Sequence, residues 1–229
     1  MQANALDHVA LWVADRDTLA HFACRHLGMH VIDRTDDFTL MGADARRGKL
    51  TLFAAEGPRD PGVLERVVLR VGDLETAIAA LPAGLDVERA DDGLARFDAP
   101  EGLGLGLVER SGPEVEYDID HVVLRVPDPG ETAEALEGLG LLPDGDGRLV
   151  VGDKSVTLVQ ARASEGEHPL LNHIALLVDS GQEQLEEARR RGIEVAEVRD
   201  AANTFAVFVW GPNRIKVEYV EHKPTFSLV

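Results

Sequence analysis

The octapeptide LDHVALWV at residues 6–13 returns three times along the chain, as LERVVLRV (64–71), IDHVVLRV (119–126) and LNHIALLV (171–178). A repeat of this kind restricts the fold more than any composition does, because each copy must form the same local structure and bury its apolar face against another copy. Successive copies begin at residues 6, 64, 119 and 171, so they lie 58, 55 and 52 residues apart.

The segment after each copy repeats too. After the first comes ADRDTLAHFACRHLG, where Leu19, Phe22, Ala23 and Leu27 fall at helical spacing and Gly28 supplies a stop. The others continue as GDLETAIAALPAG with Asp73 placed to cap, PDPGETAEALEGLG, and DSGQEQLEEARRRG ending at Gly192. Each segment predicts a helix of about ten to thirteen residues. Three short β runs then complete each unit: MHVIDR, DFTLMG and KLTLFAA in the first, IEVAEVR, NTFAVFVW and NRIKVEYV in the fourth. The chain therefore reads as α+β, four βαβββ modules in series, with a polar break at ERSGPEVEYD (109–118). The expected domains are residues 1–112, pairing modules one and two, and 117–222, pairing modules three and four, with a tail at 223–229.

The formal net charge of −18 and the lack of a basic stripe argue against nucleic-acid and anionic-membrane partners. A single cysteine, Cys24, allows no internal disulfide, and among apolar helix neighbours it reads as a buried, inert thiol. The opening MQANALDHVAL lacks the basic-then-apolar order of a secretory signal, and no apolar run is long enough to cross a bilayer, so a cytoplasmic location is expected.

The repeated strand, helix and β runs resemble the vicinal oxygen chelate superfamily, which includes glyoxalase I, bleomycin-resistance proteins and type I extradiol dioxygenases. The resemblance extends from about Leu6 to Val220. It implies modules paired into two open barrel-like domains and, in a four-module chain, an arrangement like that of two-domain extradiol dioxygenases. Their metal ligands lie on the first strands of modules three and four and on the last strand of module four. His121, His173 and Glu218 occupy those positions, and two imidazoles with one carboxylate form the facial set that suits non-haem Fe(II). The resemblance thus implies an Fe(II) cofactor, with Mn(II) or another divalent metal as alternatives, and a catecholic or similar chelating small molecule plus O2 as substrates. A homo-oligomer is compatible with it. In modules one and two His8 matches, but Arg66 replaces the second histidine and Gly106 the carboxylate, so no metal is expected there and His8 reads as a relic or a core histidine.

The positions that carry an acid–base histidine, a tyrosine and a further histidine in extradiol dioxygenases hold Leu158 or Val159, Phe208 and Arg199 here. His168 or Arg199 is left to assist catalysis, and Phe208 and Trp210 are expected near the substrate. Two other readings remain open: a metal-dependent isomerase, lyase or glyoxalase-like enzyme, and a metal-free small-molecule binding or resistance protein. Glyoxalase I chemistry would need a further ligand, for which DKSVTLVQA (153–161) offers Thr157 or Gln160 and no carboxylate.

Overall fold

The computed structural model describes residues 1–145, 147–162 and 168–226. Module one comprises β1 (Ala5–Val13), α1 (Arg16–His26), β2 (His30–Arg34), β3 (Phe38–Gly42) and β4 (Lys49–Ala54). Module two comprises β5 (Leu64–Val71), α2 (Leu74–Ala79), β6 (Glu88–Arg89), β7 (Leu94–Asp98) and β8 (Gly104–Glu109). Module three consists of β9 (Asp118–Val126), α3 (Pro129–Glu137), β10 (Leu142–Pro143), β11 (Arg148–Val151) and β12 (Lys154–Gln160). Module four is β13 (Leu171–Leu177), α4 (Gly181–Arg190), β14 (Val195–Asp200), β15 (Thr204–Trp210) and β16 (Lys216–His222).

All four helices open in the same way. The side chains of Asp15, Asp73, Asp128 and Ser180 each accept a hydrogen bond from the backbone N–H three residues on, satisfying a donor the helix itself cannot. The expected helix lengths hold for α1 and α4, whereas α3 has nine residues and α2 only six, ending at Ala79. Pro82 comes soon after, and proline disfavours helical backbone at the residue before it.

In each module the last strand runs parallel beside the first, with the middle strands outside it. The modules combine into two eight-stranded sheets, of order β14-β15-β16-β13-β1-β4-β3-β2 and β10-β11-β12-β9-β5-β8-β7-β6. The first joins modules four and one through an antiparallel β1–β13 ladder; the second joins modules three and two through β5–β9. The expected division into 1–112 and 117–222 is corrected here, because the chain's two ends share one sheet and its middle forms the other. Antiparallel pairing relates the two first strands of a sheet by a local two-fold, and that relation can be met by any two modules. Chain order therefore does not select the partners.

One apolar core spans both sheets and their helices, running from Leu6, Val9 and Leu11 in β1 to Val217 and Tyr219 in β16. Phe22 of α1 packs on Phe97 of β7, and the Tyr219 hydroxyl donates to the Leu139 carbonyl at 2.7 Å, so each helix-bearing face leans on the other sheet. At the seam, the buried Lys154 ammonium binds Asp118 at 2.8 Å and the Leu6 carbonyl at 3.2 Å. Cys24 departs from expectation: it lies exposed, on the solvent side of α1. No helix among the described residues is long and apolar enough to cross a membrane.

Because each sheet takes strands from both halves of the sequence, a fragment of residues 1–112 has only half of each sheet. Such a fragment should show no cooperative thermal transition by near-ultraviolet circular dichroism and should regain one when mixed with 113–229; cooperative unfolding of 1–112 alone would contradict the pairing.

Candidate metal centre

In the β1–β13 ladder His8 lies opposite Ala175 and His173 opposite Ala10. The two histidines are thus diagonal neighbours about the local two-fold, each facing an alanine. Those alanines are fully buried and leave room for both imidazoles to lean across the strand pair on the concave side. Glu218 joins them from β16, which runs parallel to β13 with Glu218 beside Ala175. Strand alternation puts Lys216, Glu218 and Val220 on the concave side and buries Val217 and Tyr219 in the core.

The three side chains converge. Nε2 of His8 lies 3.2 Å from Nε2 of His173 and 3.2 Å from Oε2 of Glu218, and Nε2 of His173 lies 2.8 Å from the same carboxylate oxygen. Three ligands held at about 2.1 Å from one cation on adjacent octahedral positions would be about 3 Å apart. The group His8, His173 and Glu218 is accordingly a set of atoms able to hold a metal ion.

Neighbouring side chains fix the ring orientation. Nδ1 of His8 donates to Asp7 Oδ1 at 2.8 Å, and Nδ1 of His173 to Asn172 Oδ1 at 3.1 Å. With Nδ1 as the donor, each Nε2 would be free to offer its lone pair to an ion at the point of convergence, as a histidine ligand requires. Asp7 is itself buried and paired with the buried Lys49 at 2.7 Å and with Nε2 of His222 at 3.1 Å. Burial raises the Asp7 carboxyl, but Lys49 and the two imidazoles outweigh it and hold it well below the ordinary range.

Burial pushes both imidazoles down. For His8, the Glu218 charge and hydrogen bonds to Asp7 and Glu218 reverse this and hold it at about 9. For His173 burial prevails and the ring stays below its ordinary value. Glu218 would be raised by burial, but the charges and hydrogen bonds of the two histidines hold it well below the usual carboxylate range. A divalent ion bound at this point would have to displace the proton that these contacts favour on His8.

Of the residues expected to bind metal, His173 and Glu218 are brought together and His121 is not. His121 lies on β9 in the other sheet, its Nδ1 donating to Asp120 at 2.7 Å. Its two-fold partner there is Arg66, whose guanidinium donates to the Leu105 carbonyl at 3.0 Å. Where the first sheet has Ala10 and Ala175, the second has Val123 and Val68, and where it has Glu218 it has Gly106. Val68, Val108 and Val123 pack together there with Leu94 and Val159. His8, read from sequence as a relic or a core histidine, stands instead at the third corner of the group that could hold an ion. A local signal marks the right pair: His-Val-Ala (8–10) and His-Ile-Ala (173–175) against Arg-Val-Val (66–68) and His-Val-Val (121–123).

A cavity of about 340 Å³ opens over the triad, walled by Phe38, Phe53, Phe208 and Phe226. Phe208 lines this cavity, with its ring edge-on to His173 at 5.1 Å between centroids. Trp210 does not line this cavity; it packs under Arg214 and Lys216. Arg199 lies at the cavity's edge, paired with Glu197 at 2.5 Å. His168 is exposed and lines neither this cavity nor its polar neighbour around Lys216, while the linker residues 163–167 before it fall outside the described residues. Thr51, two-fold related to Glu218 through its pairing with Ala10, is the remaining inward position, so Thr157 and Gln160 belong to the other sheet.

Substituting His8→Ala or His173→Ala should abolish stoichiometric divalent metal, whereas His121→Ala should leave it unchanged, as read by elemental analysis. Binding to the wild type near neutral pH should release about one proton per ion and weaken about tenfold per pH unit below the His8 pKa of about 9. Metal loss in the His121 variant, or binding without proton release, would refute the assignment.

A family profile for the Glyoxalase/Bleomycin resistance protein/Dioxygenase superfamily matches residues 5–84. A search of curated proteins gave no match. Among solved structures, a candidate dioxygenase from Bacillus subtilis subsp. subtilis str. 168 superposes with a TM-score of 0.80 at 20% identity, covering 98% of this chain and 87% of that one. Glyoxalase I from Zea mays gives 0.74 at 16% identity, covering 95% and 92%. The cppA protein from Streptococcus pneumoniae TIGR4 gives 0.65 at 14% identity, covering 96% and 98%. Module one and the opening of module two thus carry a domain of the Glyoxalase/Bleomycin resistance protein/Dioxygenase superfamily, and the likeness to solved structures extends the fold, though not the function, over nearly the whole chain.

Proposed function

We propose that the protein is an Fe(II)-dependent extradiol-type dioxygenase that cleaves a catecholic or similar chelating aromatic. The observation that carries this reading is a triad of two histidines and one glutamate on one side of the ion position, beneath a cavity walled by phenylalanines. When bound, Fe(II) would supply a Lewis acid with adjacent free positions for a chelating substrate and O2.

The chain's own residues do the rest. His8, His173 and Glu218 hold the ion, and Asp7 and Asn172 keep the two rings in the ligating tautomer. Phe38, Phe53 and Phe208 offer faces and edges to a flat ring and exclude water from one side of it. Arg199 places a cation at the cavity's edge, where it favours anionic substrate forms. Thr51 stands at the position of a fourth protein ligand and carries no carboxylate, which weighs against glyoxalase I chemistry.

Protein purified anaerobically, loaded with Fe(II) and mixed with a panel of catechols should consume O2 and develop the visible absorbance of a ring-opened product. Bound Fe(II) with no oxygen uptake on any catechol would remove the dioxygenase reading in favour of isomerase or lyase chemistry.

A further inference from the structure

Among the described residues lining the aromatic cavity, His222 is the one histidine outside the triad. It sits on the same face of β16 as Glu218, two strand alternations further on, with a side chain only 13% exposed. Its ring is pinned on two sides. Phe226 stacks on it with centroids 4.0 Å apart and planes 5° from parallel, and Nε2 lies 3.1 Å from Asp7 Oδ2. The same carboxylate orients His8 through its other oxygen, so His222 is one carboxylate away from a metal ligand.

That arrangement settles the ring's polarity. Asp7 also accepts from Lys49 at 2.7 Å and is the anion of a buried ion pair, so the His222 nitrogen facing it carries the proton. With the proton on Nε2, Nδ1 is the atom left to accept, and no hydrogen bond to Nδ1 is found among the described residues. Phe226 is fixed as firmly. The tail is tied to the β14–β15 turn by the Lys223 N–H to the Asn203 carbonyl at 2.9 Å and the Thr225 hydroxyl to the Ala202 carbonyl at 2.7 Å. Arg46 and Lys49 approach the Phe226 ring at 5.9 and 5.7 Å. A smaller cavity bounded by Arg46, Arg47, Asp153 and Lys154 also has Asp7 and His222 in its lining.

Resting on the dioxygenase reading above, we propose that His222 is a specificity-determining residue: the substrate carries, besides its chelating oxygens, a further hydrogen-bond donor such as a hydroxyl, which Nδ1 of His222 accepts while Phe226 covers the adjoining part of the molecule. A pocket of four phenylalanines alone would bind any flat ring of the right size. One fixed acceptor at its end discriminates between substrates of the same shape, because a ligand lacking the donor leaves a desolvated nitrogen without a partner.

The test compares a hydroxymethyl catechol with the ethyl catechol of equal shape, as equilibrium binding to Fe(II)-loaded protein without oxygen, followed by absorbance. Wild type should prefer the hydroxymethyl compound about fivefold to tenfold, the worth of one net hydrogen bond. His222→Phe should bring the ratio to about one. His222→Gln, whose amide can donate to Asp7 and still offer an oxygen, should restore part of the preference, which a purely structural role would not do. Equal binding of the two catechols by wild type, or an unchanged ratio in His222→Phe, would overturn the inference while leaving the dioxygenase reading to the oxygen-uptake result. Binding of neither catechol by iron-loaded protein would remove that reading and the inference with it.

Discussion

The β1–β13 ladder is the contact on which the site depends. It joins the first strand of the chain to one beginning at Leu171, and its two-fold brings His8 and His173 within 3.2 Å of each other. The parallel ladder from β13 to β16 then delivers Glu218 to the same point. None of the three ligands can be placed by a local segment; each is brought in by a non-local strand pairing, so the centre cannot form before the sheet does. The equivalent β5–β9 ladder builds the same frame in the other sheet, where Val68 and Val123 occupy the room left open by Ala10 and Ala175. Each valine adds about two buried carbon groups, worth roughly 0.8 kcal/mol apiece, so that side gains packing where the other keeps a cavity.

A buried charge cluster is costly unless its members compensate one another. Asp7, Lys49, His8, His173, Glu218 and His222 form a connected group in which every carboxylate has two or more cationic or hydrogen-bonding partners. At the triad three potential ligand atoms converge within 3.2 Å of one another, and under the proposed reading a divalent ion would take the place of the proton that Glu218 and Asp7 hold on His8. The same wiring explains why residues apparently remote from the ion, Lys49 and His222, belong to the site: both act on Asp7, which sets the tautomer of His8.

The module was legible in the sequence because its signals are local. Strand period, acidic caps such as Asp73 and Asp128, and glycine stops at Gly28 and Gly192 all act within one segment. His173 and Glu218 were also singled out, and Gly106, read in the place of the carboxylate, matches Glu218 in the parallel registers of β8 and β16. Module pairing was not legible by the same means. Every module presents an apolar first strand, and an antiparallel two-fold accepts any two of them, so chain order suggested partners that the sheet does not use. The information lay two residues past each ligand position, in alanine against valine, a difference of volume rather than polarity. His222, Asp7 and Phe226 were missed for another reason: they matter through contacts with each other, across strands and the tail, which no single segment reveals.

The proposed ion position lies between modules one and four, and anomalous scattering from crystals loaded with Fe(II), or with Mn(II) as a stand-in, tests it most directly. One peak per chain is expected, at about 2.0–2.2 Å from Nε2 of His8, Nε2 of His173 and a carboxylate oxygen of Glu218. A peak at His121, or full loading with His8 uncoordinated, would contradict it.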